Sequence, residues 1–210
     1  MDSTRIGLTS LFACILAVLA AESAGGWVRA DPVLVTGAIR MFDICIVLGI
    51  IYAFHHNFFV IGLSNSTAAS GFRQGILWSA GFGILALLAA GILLFAGIPP
   101  RSLIQISVPA LPGRRLIFLM VGGIIGPIAE EIFFRGVIYG FLRRWSFLLA
   151  LLGSTALFVF SHYLTGGVSF IQIVGGIVFS VSYETSKSLY CPIIIHTLGN
   201  LALFGIGMGG

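Results

Sequence analysis

Two adjacent glutamates and an arginine, Glu130, Glu131 and Arg135, stand near the middle of a long apolar stretch. That is where an ionised side chain is most costly, roughly 2.5–3.5 kcal/mol on insertion scales, so each needs a partner, a water-filled cavity or a chemical task. Glu131 and Arg135 are four residues apart with the acid on the N-terminal side, the arrangement that favours a salt bridge. Glu130 points about 100° away around the helix axis and lacks that partner, so it must be protonated or face something polar. Pro127, three residues earlier, removes the helical hydrogen bond of the Gly123 carbonyl and predicts a bend close to Glu130. Nearby glycines would let water or a substrate backbone approach the bend. The competing reading is that the three charged residues merely tie helices together.

Two later apolar segments carry histidine. Phe158 and His162 are one helical turn apart, and so are His196 and Asn200. Taken singly, each histidine is more often a hydrogen-bonded packing residue than a catalyst. Two imidazoles, an unpaired carboxylate and an amide are together the groups needed to activate water and stabilise an oxyanion. Glu130, His162 and His196 are acceptable zinc ligands in kind, but no familiar ligand spacing joins them, and no metal or other cofactor is expected. The rival intramembrane proteases lack their parts. The sequence has no HExxH and no GxSG, and it places only Asp43 inside a span where an aspartyl enzyme needs two aspartates.

The elements that must position these residues are dictated by composition. Of 210 residues 58% are hydrophobic and 9% charged, with a mean hydropathy of +1.10, which excludes a soluble domain and makes the bilayer the solvent. Apolar runs of about 20 residues predict an all-α, polytopic bundle of about seven helices, near 6–24, 34–54, 75–96, 116–142, 145–164, 168–183 and 191–208. The first is read as a transmembrane helix, a cleavable leader being the alternative. The longest connection, 98–115, is broken by Pro99, Pro100, Pro109 and Pro112 and is too short for a soluble domain. Residues 1–210 are therefore read as one integral membrane domain, multi-pass and expected in the cell membrane.

The net charge of +4 reports basic loops at the lipid headgroups rather than nucleic-acid binding. Arg5, Arg73, Arg143, Arg144 and Lys187 fall on one side and Arg29, Arg101, Arg114 and Arg115 on the other, a balance too even to set orientation. Arg40 and Asp43, three apart, are expected to pair. Glu22, Asp31, His55, His56, Glu184 and Lys187 lie at helix ends or loops and are read as solvated. Cys14, Cys45 and Cys191 are read as packing residues. The GxxxG spacing of Gly136 and Gly140 is read as close packing rather than a dimer motif.

The motifs resemble those of the CAAX protease and bacteriocin-processing family of intramembrane glutamic peptidases, also called the abortive-infection family. Its EExxxR matches Glu130, Glu131 and Arg135, its FxxxH matches Phe158 and His162, and its histidine followed four residues later by Asn or Asp matches His196 and Asn200. The resemblance covers residues 122–203, and three motifs in order are more specific than any one. It implies that Glu130 and His162 deprotonate a water that attacks the scissile carbonyl, that His196 and Asn200 hydrogen-bond the oxyanion, and that Glu131 and Arg135 form an internal ion pair. It also implies a lipidated or membrane-associated peptide or protein as substrate. A non-catalytic transporter-like, scaffold or immunity protein is the alternative function.

One geometric difficulty remains at this level. With simple alternation of helix direction, His162 and His196 differ in depth by roughly 10 Å. A connection at Thr165, Gly166, Gly167 and Val168 that dips into the bilayer is the expected remedy.

Overall fold

The computed structural model describes residues 5–100, 109, 111–166 and 170–208. Among them there is no strand, and seven long helices follow in order: α1 (Leu8–Gly25), α2 (Pro32–His55), α3 (Asn65–Phe95), α4 (112–142), α5 (Phe147–Gly166), α6 (Phe170–Ser186) and α7 (Tyr190–Met208). The expected all-α bundle is thus the observed fold. By length and composition six of the seven can cross a membrane. The exception is α6, whose 17 residues span about 26 Å, short of the roughly 30 Å hydrocarbon core. The chain is a multi-pass integral membrane protein.

Local chemistry sets the helix ends. The Asp31 carboxylate accepts from the backbone N–H groups of Val33 and Leu34 with Pro32 in the first turn of α2, and Ser64 accepts from Ser66 at the start of α3. That cap starts α3 at Asn65, ten residues before the apolar run suggested, because Asn65, Ser66, Thr67, Arg73 and Gln74 dilute the hydropathy there. Where α3 crosses α7 the approach is close. A Cβ at Gly71 would lie 2.2 Å from Ser188 Oγ, and one at Gly75 would lie 2.7 Å from Ile194 Cβ. The main core joins α1, α2 and the second half of α4 through buried Leu11, Cys14, Val47, Ile51, Val137 and Ile138. Gly136 packs on Ile61 and Gly140 on Ile6, so the GxxxG spacing serves packing inside the chain, as read from the sequence.

The helix carrying the glutamates is irregular. α4 runs through Pro112–Met120, a π-helical Val121–Ile125, Gly126–Glu131, a second π-helical Ile132–Tyr139 and Gly140–Leu142. Gly126 donates to the Val121 carbonyl and Gly140 to the Arg135 carbonyl, each five residues back. Such turns recur at functional sites, and here they flank the two glutamates on both sides. In the five-residue register of the first of these turns, the carbonyl opposite Pro127 is that of Gly122, next to the Gly123 carbonyl named by the four-residue register.

Two residues read as solvated are tied into the structure. His55 is buried, with Nε2 3.1 Å from Ser10 Oγ. Glu184, in the last turn of α6, accepts from Arg143 at 2.9 Å, Tyr139 at 2.6 Å and Lys187 at 2.6 Å, and so fastens α6 to the end of α4. Burial pushes its carboxyl up, but these donors outweigh it and hold it at about 2. A carboxyl held below its ordinary 4.5 stabilises the fold above that value, and the contribution is lost as pH falls towards about 2. Glu184→Gln is therefore expected to lower the melting temperature at neutral pH, with the gap from wild type closing between pH 4.5 and about 2 in thermal melts.

Candidate active site

The charged motif of α4 is built around an ion pair sealed from solvent. Glu131 and Arg135 are both 0% exposed, and Arg135 Nη1 donates to Glu131 Oε1 at 3.1 Å, the i,i+4 pairing expected from their spacing. Nη2 of the same guanidinium donates to the Gly176 carbonyl of α6 at 3.1 Å. The guanidinium lies over the rings of Phe158 and Phe179, 4.6 and 5.1 Å from their centroids. Arg135 thereby ties α4 to both α5 and α6.

His196 of α7 enters against both acids. Its Nδ1 is 2.8 Å from Glu131 Oε1, and its Nε2 is 3.7 Å from Glu130 Oε2. An ionised carboxylate only accepts, so Nδ1 carries a proton and Nε2 is the nitrogen turned towards Glu130. The ring stacks on Phe179 at 4.4 Å and meets Phe158 edge-on at 5.8 Å. The side chain of Glu130 is 16% exposed and has this imidazole beside it.

His162 joins the group by way of Phe158. The two rings are 4.5 Å apart, and His162 Nδ1 donates to the Phe158 carbonyl at 2.9 Å. A carbonyl cannot donate, so the proton of this bond is on Nδ1. Both imidazoles thus border one phenyl ring. Thr165 and Gly166 belong to the last turn of α5 rather than to an irregular loop, while Gly167 and Val168 lie outside the described residues. Asn200, one turn after His196, is engaged elsewhere: its Nδ2 donates to the Gly122 carbonyl at 2.9 Å.

Some participants carry no sequence signal of their own. Phe179 is one apolar residue among many in its helix. Gly176 belongs to a Gly-Gly pair whose small size is the available hint of close approach. A Cβ at Gly176 would lie 2.7 Å from Thr155 Cγ2, and Arg135 uses its carbonyl. Gly176→Ala is expected to cost about 1–3 kcal/mol by overpacking and to reduce activity, both measurable on purified protein by melting and turnover. Arg40 of α2 pairs with Asp43 at 3.1 Å as anticipated, and also with Glu22, and it interacts electrostatically with Glu130. Among the described residues, no three His, Cys, Asp or Glu side chains converge closely enough to hold a metal ion.

Residues 112–202 match the type II CAAX prenyl endopeptidase Rce1-like family. The membrane-embedded CAAX protease MroQ of Staphylococcus aureus (strain USA300) is 38% identical over 93 residues, covering 40% of this chain and 36% of that protein, so the chain spans about a third of that relative's length. No solved structure matches significantly. The segment from 112 to 202, which holds all three motifs, is similar to the Rce1-like CAAX prenyl endopeptidase family.

Proposed function

We propose that this protein is an intramembrane glutamic endopeptidase that hydrolyses a peptide bond of a lipid-modified or membrane-associated peptide or protein. The observation that carries the reading is the division of labour between adjacent acids. Glu131 is consumed by Arg135 and His196, while Glu130, next to it, is partly open and faces an imidazole. In this reading Glu130 and His162 hold and deprotonate the attacking water. His196 and Asn200 hydrogen-bond the oxyanion. Nε2 of His196 does so when that ring is protonated, and Asn200 has a second N–H beyond the one given to Gly122. Glu131 and Arg135 hold the helix and orient His196.

A general base is worth about 10²–10⁴ in rate and an oxyanion donor about 10²–10³. The test is turnover by purified protein of a library of lipidated and membrane-anchored peptides, with and without a chelator. Cleavage that survives the chelator is expected. Chelator-sensitive cleavage would transfer the chemistry to a metal, and no cleavage under any condition would favour a ligand-binding or scaffold protein.

A further inference from the structure

The first π turn of α4 ends because its next donor does not exist. Gly126 donates five residues back to Val121, and the following bond in that register would run from residue 127 to the carbonyl of Gly122. Residue 127 is proline, which has no N–H. Gly122 is half-buried, and a carbonyl withdrawn from water without a donor costs free energy towards that of a lost hydrogen bond. The Gly122 carbonyl is not left in that state, because Asn200 Nδ2 reaches it at 2.9 Å from α7. The approach depends on small residues. A Cβ at Gly122 would lie 3.1 Å from the Phe204 ring, and one at Gly123 only 2.6 Å from Leu201 Cδ2. The sequence thus combines a proline that removes a donor, glycines that admit α7, and an amide on α7 that replaces the donor.

We propose that Asn200 is a positioning residue whose amide substitutes for the N–H missing at Pro127, and that this latch holds the π turn which directs Glu130 towards His196. Glu130 follows Pro127 by three residues, so the register of this turn sets the direction of its side chain. The same histidine helix therefore supplies both the imidazole beside the acid and the hydrogen bond that aims the acid. The catalytic consequence rests on the reading of Glu130 as the base; the latch itself does not.

The experiment is a double-mutant cycle on the purified full chain, comparing Asn200→Ala in the wild-type and Pro127→Ala backgrounds. With Pro127 present, Asn200→Ala is expected to lower the melting temperature by about 3–6 °C. It should also lower kcat at unchanged KM by more than the roughly 10²–10³ of an oxyanion donor alone. Pro127→Ala restores a backbone N–H, so in that background the same substitution should shift melting by about 1 °C or less, and the kcat loss should shrink to the oxyanion share, roughly 10²–10³. Asn200→Ser, which keeps a donor, should lose less than Asn200→Ala. An equal loss of melting temperature in both backgrounds would overturn the latch. The melting arm needs no turnover, so an inert protein would count against the peptidase reading while leaving this result interpretable.

Discussion

Glu130→Gln is expected to reduce cleavage by about 10³-fold or more while leaving the melting temperature close to that of wild type. The two outcomes separate because of what the side chain touches. Glu130 is partly exposed and lies 3.7 Å from His196 Nε2, beyond hydrogen-bond length, so little of the fold depends on it. The amide keeps the shape and removes the basicity. His162→Ala should fall in the same range, and the double variant should be no worse than the more damaged single one, since residues that act as a unit are not additive. Turnover of a membrane-anchored peptide beside a thermal melt of the same preparation checks all three variants.

Arg135→Met is expected to have the opposite profile, with its main effect on the fold. Removing the guanidinium leaves Glu131 as an uncompensated charge with no exposure, and its Oε2 already has no hydrogen-bond partner among the described residues. Breaking a buried pair from one side costs about 3–5 kcal/mol. It also releases the Gly176 carbonyl and the contacts with Phe158 and Phe179. Replacing both partners, as Glu131→Gln with Arg135→Met, removes the orphaned charge and should recover part of the stability, with His196 then lacking its Glu131 carboxylate. Melting of the two singles and the double in detergent measures this. Arg135→Lys should not rescue, because an ammonium cannot donate to Glu131 and Gly176 in the fixed geometry of the guanidinium fork.

How much of this was legible in the residues follows from what bilayer physics makes conspicuous. Charges in an apolar run are rare enough that their spacing can be interpreted, which is why the Glu131–Arg135 pair and the distinct status of Glu130 were readable before any coordinates. Hydropathy likewise located the helices, but it placed the start of α3 ten residues late, because it sees lipid-compatible length and not the Ser64 cap. The π turns were not readable, since a register change has no compositional mark, and so nothing in the sequence pointed to the Gly122 carbonyl that Asn200 reaches. Phe179 was hidden for a different reason. An aromatic residue in a membrane helix is unremarkable until a neighbouring helix supplies the cation and the imidazole it stacks on. Arg40 was read only as the partner of Asp43, because its interaction with Glu130 joins α2 to α4 and depends on tertiary packing.

The central claim is that Glu130 acts on a water molecule and is not itself the nucleophile. It is tested most directly by a single-turnover cleavage in water enriched in oxygen-18, followed by mass spectrometry of both the product and the protein. Direct attack by activated water places one heavy oxygen in the new C-terminal carboxylate in the first turnover and none in Glu130. Heavy oxygen in the Glu130 carboxyl, with an unlabelled first product, would mean a covalent acyl intermediate and would contradict the account.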